Sequence, residues 1–231
     1  MIHQLIFAHP KPGMSEQEFQ RYWLDVHAPQ YASKIPQIRK YLIDFRIPFG
    51  PEPKDPKWSG VAEIWLRNEQ EQLESLQTPE FLDGARADEP RWAAFWRTVV
   101  LETDPHVLLP GPELTADPSW CKLIVLVKRQ EGVSLQEFRE QSLGKYAELV
   151  AETPGLRRYL QGHTRDGAYA IGEAVLDAAY QMWFDDTESL AAALDTPEYR
   201  GADEHLRTFV QPRYLHSMVA DEHWVLGPES R

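Results

Sequence analysis

Phe19, Trp23 and His27 recur at a spacing of four, which places them on or beside one face of a helix. An imidazole has an unperturbed pKa of about 6.5 and can give or take a proton near neutrality. Pro29 follows closely and has no N–H for the carbonyl of Asp25, so the helix is expected to loosen there. A histidine at such an end, against an apolar face, could move a proton on an apolar substrate. It could equally be a packing residue bonded to the broken backbone. Two flanking groups could assist. Asp25 could orient His27, although a solvated helix carboxylate is the plainer account, and Tyr31 could supply a phenolic proton or simply fill the core. Glu63 sits inside the apolar run Val61 to Leu66. Burying it unpaired would be costly, so it is a catalytic candidate if it faces inward and an ordinary edge residue if it does not.

The elements that must position these residues occur twice. Gly13-Met-Ser15-Glu-Gln-Glu18-Phe19 returns as Gly132-Val-Ser134-Leu-Gln-Glu137-Phe138, and Ile38-Arg-Lys-Tyr41-Leu42 as Leu156-Arg-Arg-Tyr159-Leu160. Trp65 answers to Trp183, Leu76-Gln-Thr78-Pro79-Glu80-Phe81 to Leu194-Asp-Thr196-Pro197-Glu198-Tyr199, and Asp104-Pro-His106 to Asp221-Glu-His223. Matches in this order define a duplication. Each copy opens on a β-rich run (Ile2 to Ala8, Lys122 to Lys128) and continues into a capping box, Ser15-x-x-Glu18 or Ser134-x-x-Glu137, that starts a helix. In the first copy Tyr41 to Ile47 and Val61 to Leu66 read as strands and Pro48 to Ser59 as a surface loop. A second helix begins near Asn68, with Leu73 and Leu76 on its inner side, and a last strand lies between Val99 and Leu109. The order β-α-β-β-α-β is the ferredoxin-like unit, whose sheet keeps one face uncovered. The expected fold is α+β: two tandem ferredoxin-like repeats, residues 1–112 and 118–231, closed into an intramolecular barrel across the linker Leu109 to Pro118.

Strand alternation groups the residues that could line a cavity. Leu5, Phe7 and His9 share one face, as do Tyr41, Ile43 and Phe45, and Val61, Glu63 and Trp65; whichever set points away from the helices lines the barrel. In the second copy Tyr159, Gln161 and His163 take the places of Tyr41, Ile43 and Phe45, which makes His163 that half's best candidate contribution.

Phe19-x-x-Tyr22-Trp23-x-x-Val26-His27-Ala28-Pro29, followed by Ile38-Arg39-Lys40-Tyr41, resembles the EthD family of the dimeric α+β barrels. The resemblance covers both copies. It implies a cofactor-free enzyme of lyase, dehydratase, cyclase or isomerase type, acting in the barrel cavity on a small hydrophobic aromatic or polyketide-like substrate. His27 would be its general acid/base, with Glu63 and Asp25 as further catalytic candidates and Phe7, Trp23, Tyr31, Tyr41, Trp65 and His163 as binding residues. The second copy departs from the pattern: Ser142 and Tyr146 stand where the first has Trp23 and His27, so one principal active cavity is expected. Three other readings stay open: a non-catalytic binding or accessory protein, a cofactor-free monooxygenase, and a barrel holding haem through an axial histidine.

Composition narrows the partners. Net charge is −12, with no basic stripe for phosphates, so nucleic acid and anionic membrane are not expected. The single cysteine, Cys121, allows no internal disulfide and reads as a buried filler. The repeated Asp-x-His lacks a third ligand at suitable spacing, so no metal is expected, and no glycine-rich phosphate loop suggests a nucleotide cofactor. The apolar start, Ile2 to Ala8, has no basic flank or cleavage site, and a cytoplasmic monomer or homodimer is expected.

Overall fold

The computed structural model describes residues 1–115 and 119–231, so the last three residues of the expected linker lie outside the described part. The first copy contains β1 (Ile2–Ala8), α1 (Glu16–Tyr22), β2 (Lys40–Arg46), β3 (Gly60–Leu66), α2 (Glu69–Ser75) and β4 (Val99–Leu109). The second contains β5 (Cys121–Val127), α3 (Leu135–Gln141), β6 (Arg158–Thr164), β7 (Ala178–Phe184), α4 (Thr187–Leu194), α5 (Pro197–Leu206) and β8 (His216–Leu226). Hydrogen bonds order the strands β1-β3-β2-β8-β5-β7-β6-β4 and close them into an eight-stranded barrel. No described helix is long and apolar enough to cross a membrane.

Both capping boxes form. Ser15 Oγ accepts from the Glu18 amide at 3.2 Å while Glu18 accepts from the Ser15 amide at 2.9 Å, and Ser134 and Glu137 repeat the pattern at 3.1 and 2.9 Å. Gly13 and Gly132 precede them at φ +86° and +89°, a left-handed turn that explains why glycine is kept in both copies.

Two compact units emerge. One is formed mainly by Met1–Glu102 with Asp221–Arg231, the other mainly by Thr103–Glu113 with Ser119–Ala220. In the first unit β3 is central, with Leu5 and Leu42 both opposite Glu63, and Gln4 and Tyr41 both opposite Ile64. This register separates two faces. Gln4, Ile6, Ala8, Tyr41, Ile43, Phe45, Ala62, Ile64 and Leu66 share the face that meets the helices. His3, Leu5, Phe7, Val61, Glu63 and Trp65 share the other. The three sets grouped from sequence therefore divide: the Tyr41 set faces the helices, and the Phe7 and Glu63 sets face away.

One expectation about α2 fails. Leu73 and Leu76 are exposed, and Gln72 and Ser75 are the buried residues instead. The Gln72 amide reaches Glu102 and the Ser75 hydroxyl donates to the Gln72 carbonyl. Polar side chains with partners thus take the inner side of this short helix. Cys121 is buried, as a small filler should be.

Candidate active site

The helix that follows the first capping box does not stay regular. After α1 it widens into a π turn, Trp23–His27, in which the Ala28 amide reaches back five residues to the Trp23 carbonyl. Such turns are often found at functional sites. Pro29 is not required for it, because the second copy has a π turn at Ser142–Tyr146 without a nearby proline. A third π turn, Glu80–Ala85, runs into the short helix Arg86–Asp88.

The first and third of these turns bring His27 and Asp88 together. His27 is 6% exposed and Asp88 2%, and His27 Nδ1 lies 2.9 Å from Asp88 Oδ2. Asp88 also accepts from the Tyr22 hydroxyl at 2.8 Å and has Arg91 at 3.6 Å. A carboxylate at Nδ1 accepts, so Nδ1 carries the proton and Nε2 keeps its lone pair. Among the described residues Nε2 makes no hydrogen bond. The His27 ring packs on Trp92 at 4.6 Å between centroids, and Trp92 in turn on Trp23 at 4.8 Å.

This histidine lines a cavity of about 460 Å³ between the sheet and the helices of the first unit. Trp23, Tyr41, Ala62, Ile64 and Trp92 form its apolar wall, with Phe81 and Phe95 nearby. Arg86 and Glu89, ion-paired with each other, are its charged lining residues. Volume and lining are those of a small-molecule site.

Burial lowers the pKa of His27 from its ordinary 6.5, while the hydrogen bond and charge of Asp88 pull the other way. His27 is thus neutral at neutral pH and able to accept a proton. Burial raises Glu89 against the opposing pull of Arg86, and burial likewise raises Tyr41, whose hydroxyl stays protonated.

The other residues singled out by sequence fall elsewhere. Asp25 is exposed and makes no hydrogen bond to His27; Asp88 stands where an orienting carboxylate was sought. Tyr31 is half-buried, its ring 6.2 Å from that of His27. Glu63 is buried, but it pairs with His3 at 2.7 Å on the sheet face turned away from the helices. Trp65 stacks on that same His3, and Phe7 packs on Trp58. None of these three lines the cavity. His163 belongs to a buried network of the second unit with Ser142, Gln161 and Tyr180. Burial, then His106 and Arg139, push it down to about 3, so it stays neutral at physiological pH.

Sequence reasoning missed Asp88, the role of the Tyr22 hydroxyl, and Trp92. The repeat carried a signal. The offset between copies is 118 at Thr78/Thr196 and 117 at Trp92/Phe209, whose carbonyls accept from Lys11 and Gln130 respectively. Asp88 therefore corresponds to His205 or Leu206. The second copy has neither the histidine nor the carboxylate at these places.

Several known proteins resemble the chain. An anthrone oxidase-like protein is 13% identical over 97% of this chain and 92% of its own, with a TM-score of 0.64. A candidate monooxygenase from Lactobacillus acidophilus NCFM is 12% identical over 100% and 97%, with a TM-score of 0.58. An EthD family protein from Bacillus halodurans C-125 is 29% identical over 44% of this chain and 97% of its own, at a TM-score of 0.38. No curated protein matches. The first two likenesses show the fold. The EthD domain model matches residues 11–95 and again residues 130–213. With one EthD domain in each half, the chain belongs to the EthD family.

Proposed function

We propose that the first unit is a cofactor-free enzyme that transfers a proton on a small, hydrophobic, aromatic or polyketide-like molecule. One observation carries this reading: His27 has Nδ1 tied to the buried Asp88 and Nε2 left free in an apolar cavity of about 460 Å³. In such a pair the imidazole takes a proton on Nε2, and the carboxylate orients the ring and stabilises the imidazolium that forms. The desolvated wall contributes by holding the substrate in place. A lyase, dehydratase, cyclase or isomerase step would each use this base.

A second reading, cofactor-free oxygenation of an electron-rich phenol, draws support from the whole-chain likeness to an anthrone oxidase-like protein. It would begin with the same proton transfer. The test is turnover of phenolic, anthrone, β-polyketone and lactone compounds, with and without oxygen, read by product mass. Loss of water or of carbon dioxide, or no mass change, marks the first reading. A gain of oxygen that requires oxygen marks the second. If wild-type protein binds these compounds but converts none, the cavity is a binding site without chemistry.

The pH profile follows from His27. Its active form is the unprotonated one, and burial places its pKa below 6.5. The expected kcat/KM therefore holds from neutrality down past 6.5 and falls only at lower pH. In Asp88→Asn, which removes the opposing pull, the acid limb moves lower still. Stability has the same sign: the unfolded chain protonates His27 more readily, so its contribution is complete above 6.5 and is lost as pH falls through the folded value. An acid limb above 6.5 would show that His27 is not the titrating base.

A further inference from the structure

Tyr41 has a hydrogen-bond donor left over. Its oxygen accepts from Trp23 Nε1 at 2.8 Å, and the residue is 1% exposed in the cavity wall. A phenol can both accept and donate. With the indole N–H occupying an acceptor position, the phenolic proton must point elsewhere, and no acceptor for it is present among the described residues. Tyr159, the counterpart of Tyr41 in the second copy, likewise accepts a hydrogen bond, from Gln161 at 2.6 Å, within a network that ties Gln161 and Tyr180 to Ser142. Tyr41 differs in lining the cavity that His27 also lines.

Resting on the proposed function, we infer that Tyr41 is the group that holds the substrate's carbonyl oxygen, and that the substrate class is a flat aromatic ketone with an acidic C–H conjugated to that carbonyl. The cavity presents an imidazole base, His27 Nε2, and unspent neutral donors among aromatic walls: the Tyr41 O–H and the unpartnered Trp92 indole N–H. The phenol is the more acidic donor and the better partner for a developing enolate oxygen. Enolisation needs a base and such a donor. His27 Nε2 takes the proton from carbon, the C–H electron pair becomes the new C=C bond, and the carbonyl π pair moves to oxygen. The Tyr41 O–H stabilises the enolate oxygen so formed, in surroundings where a positioned donor acts strongly. Return of the proton from Nε2 to another carbon completes an isomerisation, with no oxidant or reductant required. Trp23 is a positioning residue in this scheme, because its N–H fixes which way the phenol turns.

The test uses 9-fluorenone, an aromatic ketone with no acidic C–H to lose, beside fluorene, which lacks the carbonyl. Both are titrated against the full chain by tryptophan fluorescence, and the carbonyl stretch of bound fluorenone is read by infrared spectroscopy. Wild-type protein should bind fluorenone with its carbonyl band moved to lower frequency. Tyr41→Phe should return the band toward its apolar-solvent position and weaken fluorenone about fivefold, as expected for one neutral hydrogen bond. Its affinity for fluorene should stay within about twofold, since ring burial is unchanged. His27→Asn should leave the band shifted. Trp23→Phe keeps the hydroxyl but frees its orientation and should broaden the band, which keeps the inference testable if Tyr41→Phe does not fold. An unshifted band in wild-type protein, or a shift that survives in Tyr41→Phe, overturns the inference and leaves the proton-transfer reading intact. Failure of wild-type protein to bind either compound counts against both.

Discussion

Replacing His27 by Asn is expected to lower turnover about 10²–10⁴-fold, the usual contribution of a positioned general base. Asn is the informative choice because its amide can still donate to Asp88, so the buried carboxylate keeps a partner and the fold is spared the cost of an isolated charge. Asp88→Asn should lose a comparable amount for a different reason: an amide at that place no longer demands a proton on Nδ1, and the tautomer with its lone pair toward the cavity ceases to be favoured. Tyr22→Phe, which removes one of the donors to Asp88, should cost less. The pair acts as a unit, so His27→Asn with Asp88→Asn together should be scarcely slower than either alone. The measurement is kcat/KM for wild type and the four variants on one converted substrate, with far-UV circular dichroism confirming the fold. Additive losses would mean that the two residues act separately, and an unchanged rate in His27→Asn would remove the histidine from the chemistry.

The unequal legibility of fold and site has a physical basis. Elements were readable because each rests on local signals: Ser15 and Glu18 cap one another three residues apart, and the runs Ile2 to Ala8 and Val61 to Leu66 are β-rich and bounded. Duplication made the global arrangement readable as well, since a ferredoxin-like unit leaves one sheet face that its own helices cannot cover. His27 and Trp23 were found because both lie in one helical stretch with a period. Asp88 was not, because its contact with His27 spans 61 residues and depends on the π turns that aim the two side chains. No periodicity predicts an i→i+5 turn. Glu63 misled for a related reason. Strand alternation placed it correctly on a face with Val61 and Trp65, but neither the face turned from the helices nor the partner His3 can be read from one strand. Leu73 and Leu76 misled because an apolar residue on a short helix need not be inside, and Gln72 with Glu102 made a polar inner side affordable.

Ala62→Phe should weaken ligand binding roughly 10²-fold while leaving the first unit folded. The two copies solve the same packing problem in opposite ways. In the first, a large helix residue, Trp23, sits over small sheet residues. A Cβ added at Gly60 would come within 2.9 Å of the Trp23 ring, and Ala62 lines the cavity beside it. In the second, the helix residue is Ser142, and the sheet supplies Ala178 and Tyr180, with the fully buried Tyr180 packed on Tyr146 and its hydroxyl 2.7 Å from Ser142 Oγ. The second copy thus fills with a tyrosine the place where the first keeps an alanine, and the cavity exists because Ala62 is small. A phenyl group at position 62 has room in the existing cavity of about 460 Å³ and carries no hydroxyl to satisfy. Burying it offsets much of any repacking, whose cost is typically about 1–3 kcal/mol. A ligand would have to displace that ring, and a penalty near 3 kcal/mol corresponds to roughly a 10²-fold loss of affinity. Calorimetric titration with fluorenone and a thermal melt of the same variant decide the matter together. Affinity retained within about threefold would place the ligand outside the His27 cavity and remove the basis for assigning chemistry to it. A lost transition in the melt would show instead that Ala62 is small because the fold requires it.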